Sequence, residues 1–160
     1  MATTSSPSTS IPTHNVISML DECVTICTDG EKRYSEAANE TRDLVLKELF
    51  LEYSRQRQDL VAALRAEIDK LGGISRHAGT ATGAMHRGFM AIRSAVENHQ
   101  PSAILAECER GERGALLRYD RVLRRAPLEM LSAELRAMLV SQRASIKAAH
   151  DDMLRRLAQH

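Results

Sequence analysis

The chain has 160 residues, 43% hydrophobic and 27% charged, enough for one domain with a sizeable core. Lys and Arg number 22 against 21 Asp and Glu, a balance without the electrostatic footprint of a nucleic-acid or acidic-membrane binder. No apolar run approaches the ~20 residues of a bilayer crossing.

The chain start lacks the charged and apolar stretches of a secretion signal, and Cys23, Cys27 and Cys108 fall inside helical patterns. They read as small core residues in a reducing compartment, so the expected location is cytoplasmic. Aromatics are 3% with no Trp, which leaves Leu, Ala, Val, Ile and Met to fill the core.

Residues 1–12 are Ser, Thr and Pro with almost nothing apolar, and are expected to form a disordered tail before a domain over 13–160. Thr13 is placed to cap a first helix over His14–Asn39. That helix carries Val16, Leu20, Cys23, Cys27, Tyr34 and Ala38 mostly at spacings of three and four, with Glu31 filling the one longer gap. Glu40–Asp43 is a short polar connection, so a second helix returns antiparallel over Asp43–Leu71 and ends at Gly72-Gly73. Its stripe of Leu46, Leu49/Phe50, Tyr53, Leu60, Leu64, Ile68 and Leu71 is interrupted at Gln56 and Arg57.

Residues 72–100 are long enough to travel back along the ~40 Å of that helix, with a short helix expected over Ala84–Val96. The third helix, Pro101–Arg125, has proline in its first turn. It carries Ile104, Cys108, Glu112, Ala115, Tyr119 and Val122 on one stripe. Arg121, Arg124 and Arg125 read as its solvated end, where cations suit the helix dipole. A fourth helix is expected to start at Pro127 and carry Leu131, Leu135, Met138, Ile146, Ala149, Met153 and Leu157, interrupted at Gln142.

Two sequence halves echo each other. Glu48-Leu49, Gln56-Arg57 and Leu60 are matched at one constant offset by Glu134-Leu135, Gln142-Arg143 and Ile146. Two copies of a helical hairpin make a four-helix bundle, here all-α with a long crossover. Each stripe then carries polar residues near mid-length: Glu31, Gln56 and Arg57, Glu112, Gln142 and Arg143. Glu112 and Gln142 lie equally far from Pro127, and Glu31 and Gln56 fall within ~5 Å in height.

Gly30-Glu31 with Tyr34, and Gly111-Glu112 with Ala115 and Tyr119, resemble the helix signatures of ferritin-like proteins, rubrerythrin especially. Asp29-Gly30-Glu31, Leu49-Phe50-Leu51-Glu52-Tyr53, Leu71-Gly72-Gly73, His86-Arg87-Gly88-Phe89 and Ala106–Glu112 extend the likeness over most of the chain. In these stretches it is similar to a bacterial four-helix-bundle family of unknown function within the ferritin-like group.

The resemblance implies an up-down ferritin-like bundle. It also implies a di-iron centre taking one Glu from each of two helices and Glu-x-x-His from the other two. The chain has Arg57 and Leu60, and Arg143 and Ile146, where those two motifs would stand. Four of six ligands are missing.

Two carboxylates in a core need positive charge beside them. The reading adopted is that Arg57 and Arg143 neutralise Glu31 and Glu112, with Gln56 and Gln142 satisfying the remaining lone pairs, and without metal or other cofactor. The opposing reading turns both arginines outward to snorkel.

An iron site of Glu31, Glu52, Glu109 or Glu112, and His150 is the alternative, with His150 otherwise a half-buried histidine. His86-Arg87 reads as a polar contact pinning the crossover. Gly79–Gly83 has the wrong glycine order for a phosphate loop. No catalytic residues are assigned.

The expected function is a non-enzymatic stress-related or accessory bundle acting through its surfaces on an unidentified protein partner. The alternative is a carboxylate metal protein handling iron, oxygen or peroxide. Neither nucleic acid nor membrane is an expected partner. Val24, Val45, Leu105 and Leu116, outside the stripes, would form the seam of a homodimer.

Overall fold

The computed structural model describes residues 13–76, 90, 92–94, 100–126 and 131–160. The expected tail, His86-Arg87, Gly79–Gly83 and Pro127 lie outside the described residues. Among those described, the long elements are all helices: α1 Thr13–Glu40, α2 Leu44–Lys70, α3 Pro101–Arg125 and α4 Ala133–Leu157.

Local chemistry sets the ends. Asp43 caps α2, its Oδ1 accepting from the amides of Val45 at 2.9 Å and Leu46 at 3.1 Å. At the other end the Gly72 amide donates to Asp69 O and the Gly73 amide to Ile68 O, both at 3.0 Å. Gly72 takes φ +73°, the left-handed conformation that glycine adopts without steric cost. Pro101 opens α3 as expected.

Two starts differ from the sequence reading. Thr13 is the first residue of α1 rather than its cap. α4 begins at Ala133, not Pro127, because the Ser132 hydroxyl accepts from the Leu135 amide at 3.1 Å. Of the expected crossover helix, residues 90 and 92–94 are described and helical, and Ile92 is fully buried.

Four contacts and one turn fix the topology. Asp29 meets Arg118 and Gly111 underlies Arg33, so α3 runs antiparallel to α1. Glu109 meets His150 and Tyr119 meets Gln142, so α4 runs antiparallel to α3. With the tight α1–α2 turn, the order is up, down, down, up, so α2 ends and α3 begins at opposite ends of the bundle. α1 packs extensively on α2 and on α3, and α3 on α4, whereas α2 and α4 touch over only a short stretch.

The core falls into two apolar clusters. One centres on Leu20, Ile26, Leu64, Ile68, Leu139 and Ile146; the other on Phe50, Leu105, Cys108, Ile92 and Met153. The expected dimer seam does not survive. Val24 and Leu105 have 0% exposure, and Leu116 is half-buried against the first cluster. Because α1 and α3 each pack on two neighbours, a second row on each goes inside. Val45 alone of the four is exposed, at 69%.

Candidate functional site

Between the two apolar clusters lies a charged layer. Arg57 of α2 reaches across the bundle and its Nη2 donates to Oε2 of Glu112 on α3 at 2.6 Å; each side chain is 1% exposed. Arg57 Nη1 also donates to Gln56 Oε1 at 3.4 Å. Burial works against charge on Arg57, but the Glu112 carboxylate more than offsets it and leaves the guanidinium pKa raised.

Glycine makes the room. A Cβ on Gly30 would stand 3.2 Å from Arg57 Nε and 3.3 Å from its Cδ, so the arginine shaft runs through the notch that α1 leaves there. Gly111, the residue before Glu112, provides the same service to Arg33 of α1, whose guanidinium lies directly on it.

Tyr34 completes the layer. Its hydroxyl is buried without a hydrogen-bond partner of acceptable geometry. Burial first, and then the nearby Glu112 charge, push the phenol well above its usual range. Its ring stacks on Tyr53 at 5.1 Å and on Phe50 at 6.1 Å. Cys27 borders the pair too; burial raises its thiol to about 12, partly countered by Arg57.

A second, uncharged polar layer lies within the first cluster. Tyr119 Oη donates to Gln142 Oε1 at 2.7 Å, and Gln142 Nε2 donates to Leu60 O at 3.3 Å. Cys23 borders it, its thiol likewise raised by burial to about 12.

The structure therefore brings together Arg57 and Glu112, with Gln56 accepting from Arg57, but not Glu31, Gln142 or Arg143 of the expected layer. Glu31 is half-buried and accepts from Gln58 Nε2 at 3.2 Å. Between Cys27 and Tyr34 the inward position belongs to Gly30, one residue earlier than the sequence reading chose. Arg143 does not reach Glu31; it pairs with Asp120 at the α3–α4 edge, Nη2 to Oδ2 3.1 Å. Gln56 is half-buried beside Arg57, and Gln142 is buried but serves Tyr119.

His150 has Glu109 and Asp151 as partners, at 3.0 and 3.4 Å, rather than Glu31. Glu52 is exposed. Sequence reasoning missed Asp29, which is 8% exposed and holds Arg118 at 2.9 Å. It also missed Asp21, whose carboxylate accepts from Ser75 Oγ at 2.8 Å and the Arg76 amide at 3.2 Å.

These donors do not fit a di-iron centre. Among the described residues no three His, Cys, Asp or Glu side chains converge to hold a metal. Glu112 gives an oxygen to a guanidinium, and Glu31 turns to Gln58. What the interior offers chemically is a fixed cation–anion pair, with raised thiols and phenols around it.

Fold and site together define an all-helical bundle with a guanidinium–carboxylate pair at its centre. Residues 15–125 match the family described as a domain of unknown function, DUF2383. That stretch is more than half of the chain, which belongs to this family. Among curated proteins none matches it in sequence. No described helix is long and apolar enough to cross a membrane.

Proposed function

We propose that the protein is a ferritin-like bundle without a metal centre, a non-enzymatic cytoplasmic protein that acts through its surfaces in a stress-related or accessory role. The observation that carries this reading is the Arg57–Glu112 pair, 2.6 Å long and 1% exposed on both sides. A metal centre needs its carboxylates free for cations. Here a side-chain cation holds one of them inside the core, and removing it would strand a buried charge. The up-down-down-up order supports the ferritin-like assignment, because that order requires the long crossover typical of such bundles.

Elemental analysis of protein purified without added metal tests the reading. Iron, zinc and manganese are expected far below stoichiometric amounts, before and after incubation with Fe(II). A stoichiometric metal that disappears in Glu112→Gln would favour instead a carboxylate metal protein handling iron, oxygen or peroxide.

A further inference from the structure

We infer that the outer face shared by α3 and α4 docks an acidic, amphipathic segment of a partner protein. The inference builds on the reading that the bundle acts through its surfaces, and it names the face and the partner's chemistry.

On α3, Leu117, Arg121 and Arg124 follow one another at helical spacing; on α4, Arg136, Val140 and Arg143 do the same. The two rows form one surface, because Arg143 crosses to Asp120 of α3, Nη2 to Oδ2 3.1 Å. Arg143, and to a smaller degree Arg124, hold the Asp120 carboxyl below its usual range, so this acid is already satisfied. Arg121 and Arg136 are exposed, and neither enters an ion pair among the described residues. Leu117 and Val140 are 60% and 52% exposed between them.

The whole chain has a net charge of only +1, so this positive surface is a local concentration. The planar forks of its arginines grip carboxylates bidentately, and the two branched apolar side chains give an amphipathic helix something to bury. The face lacks the features of the other polyanion binders. Tyr34, Tyr119 and Phe50 are fully buried and Tyr53 lies on α2, so no described aromatic offers bases a stacking platform here. Two apolar side chains among four arginines are also far from the broad apolar face of a membrane-surface helix.

The test is fluorescence anisotropy with a labelled peptide of Glu and Leu at i, i+4 spacing. The full chain should bind it in a salt-sensitive way. The double variant Arg121→Glu, Arg124→Glu should weaken binding by roughly tenfold or more, as expected when paired charges are reversed. Leu117→Ser with Val140→Ser should weaken it as well, because a purely ionic contact would not notice the change. All four positions are exposed, so an unchanged melting temperature would show that the variants fold.

The inference is overturned if the peptide does not bind, or if either double variant leaves its binding unchanged. It is equally overturned if single-stranded RNA or anionic phospholipid vesicles bind the same face more tightly than the peptide. Metal content, measured on the same preparations, bears on the interior alone, so the two readings fail separately.

Discussion

Arg57 and Glu112 meet at 2.6 Å between two apolar clusters, on helices that run in the same direction and are separated in sequence by the whole crossover. Neither charge has water to fall back on, so each depends on the other. Arg57→Met or Glu112→Leu alone should cost about 3–5 kcal/mol, because each leaves the partner buried and unpaired. The double replacement should recover most of that loss, since apolar residues of similar volume often substitute for such pairs without destabilising. Chemical denaturation of the four proteins in a double-mutant cycle measures this directly. Equal, additive losses would show that the pair is not coupled.

Three glycines should respond differently to alanine. Gly114 has nothing within 4 Å of an added Cβ, so Gly114→Ala should stabilise by about 0.5–1 kcal/mol through helix propensity alone. At Gly30 the same gain is opposed by Arg57, 3.2 Å away and held at its far end by Glu112. Gly30→Ala should therefore destabilise by about 1 kcal/mol, and that sign should reverse when Arg57 is Met. Gly111→Ala displaces only the guanidinium end of the half-buried Arg33, which can swing away, so its cost should lie between the other two. Thermal melts of the single variants and of Gly30→Ala in the Arg57→Met background decide it.

The sequence made the helices and their direction legible because apolar spacing and turn chemistry are local. The Gly72-Gly73 stop, the Pro101 start and the short Thr41–Asp43 turn all stand where those residues direct. It also placed Arg57 and Glu112 in the core. The rest was hidden because it depends on rotation of a helix by a single residue. Between Cys27 and Tyr34, Gly30 and Glu31 are both near the inward face, and only the arrival of a bulky arginine from α2 decides that the glycine takes it. The repeat misled at Arg143, which matches Arg57 in sequence. Arg143 found a carboxylate nearer the surface in Asp120, avoiding the desolvation that Arg57 bears.

Tyr34 and Tyr119 present the two sides of hydrogen-bond satisfaction. The Tyr34 hydroxyl is buried and unpaired, so Tyr34→Phe should be neutral or stabilise by up to about 1 kcal/mol. Tyr119 donates to Gln142 at 2.7 Å, so Gln142→Leu should cost about 1–3 kcal/mol by orphaning that hydroxyl. Adding Tyr119→Phe to Gln142→Leu should restore part of it. Urea denaturation would sink the distinction if Tyr34→Phe proved the costlier of the two single changes.

Titration separates the two ends of the pH scale. Burial, ahead of every other cause, raises all three tyrosines, Tyr34, Tyr53 and Tyr119. A folded pKa above the unfolded value of about 10 gives stability that is complete below that pH and is lost as pH rises beyond it. Asp120 and Asp152 shift the other way. Arg143 lowers Asp120; burial would raise Asp152, but Arg155, Arg156 and Tyr53 together more than offset it. Their contribution is present above about pH 4 and is lost as pH falls below it. The melting temperature should thus form a plateau between these limits. Phenolate absorbance should appear only together with loss of helical circular dichroism in alkali, and phenolate growing in while the helices persist would refute the burial argument.

The same burial should silence the thiols. Cys23 and Cys27 are raised to about 12 and Cys108 is raised as well, in each case chiefly by desolvation, and all three are buried. A thiol reacts as its thiolate, so both the ionised fraction and access are unfavourable at neutral pH. An aromatic disulfide reagent should release no chromophore from the native protein on mixing, and should release three equivalents per chain in denaturant. Any slow native reaction should follow the rate of bundle opening and saturate with reagent. If Cys27 alone reacted quickly in the native state, with first-order dependence on reagent, the Arg57–Glu112 layer would be open to solvent and the sealed interior described above would be wrong.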